Sequence, residues 1–243
     1  MRRFIPKPLR RIARRWIEGR GFVLASEAAV NLHTVMRRRC PKPIETVIDV
    51  GASDGRWSQD MMKYYPSARY LLVEAQRATH EAMLRQFQAR HKNVVCEMCA
   101  AGNKTCDINF DAGDPFGGQA SPSPYAKDNV VVPMETVDGL VRKHSLKGPF
   151  LLKLDTHGFE VPIFEGAVDT LANCAMLIVE AYNFTLCPGC LRFHELCTYL
   201  EGRGFRCVDM FDIMVRPKDQ AFWQMDMVFL PASAAEFRVA EFQ

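Results

Sequence analysis

The 243-residue chain has no apolar run of about eighteen residues, so nothing in its sequence reads as a membrane-spanning helix. The basic N-terminal stretch lacks the apolar core and small-residue cleavage site of a secretory signal, and the expected location is the cytoplasm. The dinucleotide fingerprint G-x-G-x-x-G is missing, and no internal repeat is visible. The nine cysteines are odd in number, and a chain of this size does not need disulfides to fold. Reduced thiols are therefore expected. With 48% hydrophobic and 24% charged residues, the composition is that of a globular chain. The length suits one α/β domain, expected over residues 46–243, behind an extension over residues 1–45.

The overall charge of +3 conceals an uneven distribution. Residues 1–42 hold twelve Lys or Arg against Glu18 and Glu27; their +10 set against the total of +3 leaves −7 for the remainder. Within the extension, Leu9, Ile12, Ala13, Trp16 and Ile17 share one face of a helical pattern, with Arg10, Arg11, Arg14 and Arg15 off it. Such a helix either docks its apolar stripe on the domain or lies on an anionic membrane surface. The shortness of the stripe favours docking. Arg37-Arg38-Arg39 before Pro41 and Pro43 marks a helix end.

From Thr46 onward, strand and helix patterns alternate. TVIDV, RYLLVEA (69–75), residues 93–100, FLLKLDT (150–156) and AMLIVEA (175–181) read as strands. Helices are expected over 79–90, 160–171 and 191–202. The alternation predicts a Rossmann-like parallel sheet with helices on both faces. Residues 206–213 and 222–231 are strands separated only by a loop, which predicts an antiparallel pair at one sheet edge. Residues 111–128, rich in Gly, Pro and Ser, are too long for a plain connection and read as a lid.

Ligands of open α/β sheets bind at the carboxyl ends of strands. Asp49 and the Gly51–Gly55 turn close the first strand, in the pattern D-x-G-x-x-x-G, which suits a nucleoside bearing an amino-acid tail, such as S-adenosylmethionine. Glu74 closes the second strand, where a carboxylate can accept hydrogen bonds from both ribose hydroxyls. Asp155 and His157 close the fourth strand, and Glu180, Tyr182 and Asn183 the fifth. Taken singly, Asp49 could cap a helix and Glu74 could be an exposed strand end; taken together they read as a nucleoside site.

In order along the chain, TVIDVGASDGRW, YLLVEA, LLKLDTHGFE followed by EGA, and LIVEAY resemble FkbM-type methyltransferases over about residues 46–229. The resemblance implies a class I methyltransferase fold, with a seven-stranded, mostly parallel sheet and a reversed edge strand. It implies transfer of a methyl group from S-adenosylmethionine to a hydroxyl of a sugar, glycolipid or polyketide-type acceptor. It further implies that Asp49, Gly51, Ser53 and Gly55 face the methionine tail, that Glu74 binds the ribose, that Ala100 and Ala101 flank the adenine edge, and that Asp155 lies beside the reacting centre. The family often has an amide or another polar residue where this chain has His157, so a catalytic imidazole rests on chemistry alone.

A sulfonium methyl is already activated, so the protein's main task is alignment. The acceptor hydroxyl loses its proton as the bond forms, which a base or a metal would assist. His157 suits the base by its ordinary pKa, with Asp155 orienting it or the substrate; the alternative is a local hydrogen bond that shapes the pocket. Glu160 contacts the acceptor or caps its helix. Cys187, Cys190, His194 and Cys197 have the ligand types of a zinc site, but a turn with buried thiols is favoured, and no metal is assigned. The basic start suits nucleic acid, yet the fourth-strand end lacks a Pro-Pro-aromatic signature and the body is acidic. No nucleic-acid partner is expected. A methyltransferase-like binding module without turnover, and a nucleic-acid enzyme using the basic arm, are the alternatives.

Overall fold

The computed structural model describes residues 31–40 and 43–241. The amphipathic pattern over residues 9–17, with its docking and membrane readings, lies outside them. Helix α1 (Leu32–Arg39) is capped by the Asn31 side chain, which accepts from Thr34 N–H at 2.9 Å. It ends as the sequence predicts, with Cys40 N–H bonded to the Met36 carbonyl.

Strands β1 (Thr46–Val50), β2 (Arg69–Val73), β3 (Val94–Glu97), β8 (Phe150–Leu154), β9 (Cys174–Tyr182), β10 (Phe205–Val215) and β11 (Phe222–Pro231) form one seven-stranded sheet. Its order is β10-β11-β9-β8-β1-β2-β3, parallel from β9 through β3. β11 runs antiparallel to both neighbours. The reversed strand therefore lies one place in from the edge, inserted between β9 and β10. This is the arrangement that the resemblance implies, and the chain reverses its direction of travel across the sheet at β1, which places a crevice at that strand's carboxyl end.

All five residues of β1 and of β8 are buried, as expected of strands covered on both faces. Alternate side chains feed two cores. Ile48, Val50, Leu71, Leu152 and Leu154 meet α4 (Val137–Lys143), α5 (Glu160–Glu165), α6 (Val168–Ala172) and α7 (Phe193–Glu201). Val47, Tyr70, Leu72 and Leu151 meet α1, α2 (Arg56–Met61) and α3 (Arg77–Arg90). Each fully buried leucine contributes roughly 1.5–3 kcal/mol of transfer free energy.

Two expectations need correction. The helix predicted over 160–171 is two helices, broken at Gly166, whose Cα lies so close to the Gly102 carbonyl that a Cβ would overlap it. The strand predicted over 93–100 ends at Glu97; Ala100–Ala101 (β4) turns away into a second sheet. That sheet, β4-β7-β5-β6, adds β5 (Cys106–Asp111), β6 (Gln119–Ser121) and β7 (Asn129–Glu135). β5 alternates between partly covered and buried positions over its own small core of Ile108, Phe110, Val132 and Met134. Among the described residues no helix is long and apolar enough to cross a membrane.

Candidate active site

A cavity of about 940 Å³ opens at the carboxyl ends of β1, β2, β8 and β9. Of the residues singled out in the sequence, Gly51, Ser53, Glu74, Ala100, Ala101, Asp155, His157, Glu180 and Tyr182 all line it. Asp49, Gly55, Glu160 and Asn183 are not among the lining residues.

The turn after β1 is set by a backbone constraint. Gly51 has φ +77°, and a Cβ there would overlap the Asp155 carbonyl oxygen. Only glycine allows both the turn and this approach to the end of β8. Gly55 (φ +84°) starts α2 and packs against Phe87 and Leu72, behind the cavity wall. Glu74 is 7% exposed; its two oxygens accept from Ser53 N–H and Gln76 N–H, each at 2.8 Å. Each oxygen keeps acceptor capacity towards the cavity. The Ser53 hydroxyl beside it is buried and has no protein partner. Cys99, Ala100 and Ala101 are small and buried and, with Phe110 and Ile163, form an apolar slot next to Glu74.

Asp49 is fully buried and accepts from Ser58 Oγ at 2.7 Å. Its second oxygen lies 3.3 Å from Lys153 Nζ, which also reaches Asp155 Oδ2 at 3.1 Å and the Gly51 carbonyl at 3.3 Å. Burial pushes the Asp49 carboxyl up, and Lys153 opposes that shift. Burial works against the charge of Lys153, but Asp155 and Asp49 outweigh it and hold the ammonium above its ordinary pKa. Asp155 feels burial too, yet Lys153 and His157 keep its carboxyl below the usual range. Lys153 thus joins the glycine turn to the end of β8. The sequence reading passed over it, although a lone cation inside the apolar run FLLKL was the signal.

His157 has φ +52°, an unusual conformation for a residue with a side chain. The turn is held by Glu160, buried at 6% exposure, which accepts from Gly158 N–H at 2.8 Å and Thr156 Oγ1 at 3.1 Å. Glu160 thus clamps the turn. Burial raises its carboxyl pKa, with the Gly158 bond opposing. Both nitrogens of the His157 ring are engaged. Nε2–H donates to the Phe116 carbonyl at 3.0 Å, and Nδ1 faces Tyr182 Oη at 2.6 Å and Glu180 at 3.2 Å. Burial disfavours the imidazolium, but Glu180 and Asp155 push its pKa up to about 9. A pKa raised in this way favours the protonated ring at neutral pH in this arrangement. Glu180 accepts from the Tyr182 hydroxyl and from Gln224 Nε2. Asn183 instead bonds the Phe222 carbonyl at 3.2 Å and ties β9 to β11.

Residues 114–120 cover the cavity, where the sequence predicts a lid. Gln76 Nε2 donates to the Asp114 carbonyl at 2.9 Å and His80 Nε2 to the Pro115 carbonyl at 2.8 Å. Gln119 Nε2 donates back to the His157 carbonyl. Cys187 and Cys190 are joined as a disulfide, contrary to the expected free thiols, and this removes the two thiolates a zinc site there would need. The bridge packs on Gly158, where a Cβ would overlap Cys190 Sγ. The other described cysteines are free.

Solved structures similar to the chain include a SAM dependent methyltransferase from Aquifex aeolicus, at 13% identity and TM-score 0.45, covering 94% of this chain and 100% of that one. Another is the Burkholderia thailandensis 1,6-didemethyltoxoflavin-N1-methyltransferase with bound 1,6-didemethyltoxoflavin and S-adenosylhomocysteine, at 14% identity and TM-score 0.46, covering 95% and 93%. A third is the Precorrin-6y C5,15-methyltransferase from Geobacter metallireducens, at 11% identity and TM-score 0.44, covering 85% and 93%. No curated protein matches the sequence. The methyltransferase FkbM domain matches residues 49–207, most of the domain that carries the cavity, and the chain belongs to that methyltransferase family.

Proposed function

We propose that this chain transfers a methyl group from S-adenosylmethionine to a hydroxyl of a sugar, glycolipid or polyketide-type acceptor. The observation that carries the reading is the division of one cavity into two chemical ends. One end holds the glycine turn, Glu74 with spare acceptor capacity, the unpartnered Ser53 hydroxyl and the apolar slot. The glycine turn and Ser53 fit an amino-acid tail, Glu74 a ribose diol and the apolar slot a nucleobase. The other end holds Asp155, His157, Glu180 and Tyr182 with Trp57 and Trp223, a polar cluster beside aromatic walls that suits a hydroxylated acceptor.

When bound, the donor supplies an activated methyl group, and the residues act on geometry. Gly51 and Ser53 present the turn, Glu74 fixes the ribose and Ala100–Ala101 leave room for the base. Asp155, held as a carboxylate by Lys153, orients the acceptor hydroxyl. His157 and Tyr182 fix Glu180 across the acceptor end, and the lid excludes water. Expected contacts outside the described residues, including a peripheral membrane contact through residues 9–17, would bear on whether the acceptor is lipid-linked.

The test is calorimetric titration with S-adenosylhomocysteine, followed by turnover against a panel of hydroxylated acceptors. Micromolar binding lost in Glu74→Ala is the expected result. A folded wild type that does not bind would sink the reading.

A further inference from the structure

We propose that Asp155, His157 and Glu180 form a binding site for one divalent cation at the acceptor end of the cavity; the catalytic part of this inference rests on the methyl-transfer reading above. One ligand atom from each residue can be chosen so that all three lie within 4.8 Å of one another, the one grouping of its kind among the described residues. The three come from separate, anchored points of the backbone. Asp155 N–H continues the β1–β8 ladder by bonding the Val50 carbonyl at 3.0 Å. Glu180 lies in β9, in register with Asp226 of β11. His157 sits on the turn clamped by Glu160.

The convergence of charge points to a cation: Asp155 and Glu180 each bring a carboxylate oxygen to the cluster, and like charges held close repel. The His157 imidazole spans them, with Nδ1 at 3.2 Å from Glu180 Oε2 and Nε2 at 3.8 Å from Asp155 Oδ1. Lys153 binds the other Asp155 oxygen, Oδ2, and is itself shared with Asp49, so it satisfies only part of the local negative charge. Asp212 lines the same cavity. The His157 ring nitrogens are hydrogen-bonded to Tyr182 and to the Phe116 carbonyl, so the ion would gain its imidazole ligand in exchange for one of these bonds. A bound cation acting as a Lewis acid would lower the pKa of the acceptor hydroxyl and remove the need for a free imidazole base. Two carboxylate oxygens and one imidazole nitrogen suit a hard or borderline divalent ion such as Mn²⁺.

The experiment is titration of the chelator-treated full chain with Mn²⁺ alone, read by the electron paramagnetic resonance of free Mn²⁺. One saturable Mn²⁺ per chain is expected. Asp155→Asn and Glu180→Gln should each weaken binding at least ~10-fold, whereas Glu81→Gln, on the surface of α3, should not change it. Because a ligand variant could misfold, imidazole NMR of the wild type gives a second readout. Substoichiometric Mn²⁺ should broaden the His157 ring signals before those of His33 or His91. The proposal is overturned by absence of saturable binding, by full binding in both carboxamide variants, or by an unbroadened His157. A parallel titration with S-adenosylhomocysteine separates the two readings. If the nucleoside binds and Mn²⁺ does not, the metal site falls and methyl transfer stands; Mn²⁺ binding without nucleoside binding does the reverse.

Discussion

His157 Nε2–H donates to the carbonyl of Phe116 at 3.0 Å, across 41 positions of sequence. The bond joins the turn at the end of β8 to the lid over the cavity. Gln76 and His80 hold the neighbouring carbonyls of Asp114 and Pro115 from the opposite wall. Lid and reacting end are therefore one hydrogen-bonded unit.

Removing one of these ties should loosen the lid. His80→Ala frees the Pro115 carbonyl, and a single hydrogen bond contributes about 0.5–1.5 kcal/mol net. Amide exchange, followed by mass spectrometry, should speed up several-fold over residues 113–119 and stay unchanged in β1 and β8. Unaltered exchange in the lid would show that His80 does not latch it.

Lys153 carries a larger load. Asp49 is fully buried and Lys153 is 4% exposed, so Lys153→Met leaves a buried carboxylate without its cation. Breaking a buried pair from one side costs about 3–5 kcal/mol. Urea unfolding should show that loss, and adding Asp49→Asn should recover part of it. Additive losses in the double variant would mean that the two side chains do not interact.

Gly51→Ala tests the turn. The substitution demands φ +77° of an alanine and pushes a methyl into the Asp155 carbonyl. Strain of this kind costs roughly 1–3 kcal/mol even before the overlap is counted. The expected outcome is a folded but less stable protein whose S-adenosylhomocysteine affinity drops at least ~10-fold, since about 1.4 kcal/mol is tenfold. Wild-type affinity in this variant would remove the glycine turn from the donor site.

Asp226 supplies a pH signature. Burial, and then Glu180 opposite it, push its carboxyl up to about 7 from an ordinary 3.8. Between those values the folded state binds the proton more tightly than the unfolded state. Asp226 therefore supports the fold fully below pH 3.8, and that support is lost as pH rises through 7. Asp226→Asn keeps a neutral group at every pH. Its stability relative to wild type should grow from pH 4 to pH 8 by at least ~1 kcal/mol, given 1.36 kcal/mol per pH unit of pKa difference as the upper rate. Denaturant midpoints at the two pH values decide it; a constant difference would show that Asp226 is ionised throughout.

Much of this was legible in the chain. The largely apolar runs of β1, β8 and β9 announce strands covered on both faces, and Gly51 and Glu74 stand out as the residues that end such runs. Lys153 was legible in principle, as a cation among leucines. The second sheet was not. β5 and β7 are half-exposed, with Pro133 inside β7, so their alternation is faint, and they exist because each supplies the other's hydrogen bonds. Glu160 and Asn183 show the same limit: a polar residue near a strand end looks alike in sequence whether it faces the cavity or ties down the backbone behind it.

Periodicity and turn chemistry are local properties, so the sequence by itself determined the order of elements, the parallel sheet with its antiparallel edge pair, and the strand ends at which chemistry collects. The state of each site residue depends on groups distant in the chain. Lys153 is shared by Asp49 and Asp155 only because β1 and β8 are neighbours. His157 becomes a proton-holding ring only because Phe116 and Glu180 approach it from the lid and from β9. Burial and charge act through space, and the folded chain alone decided which carboxylates face one another and where a cation between them would lie.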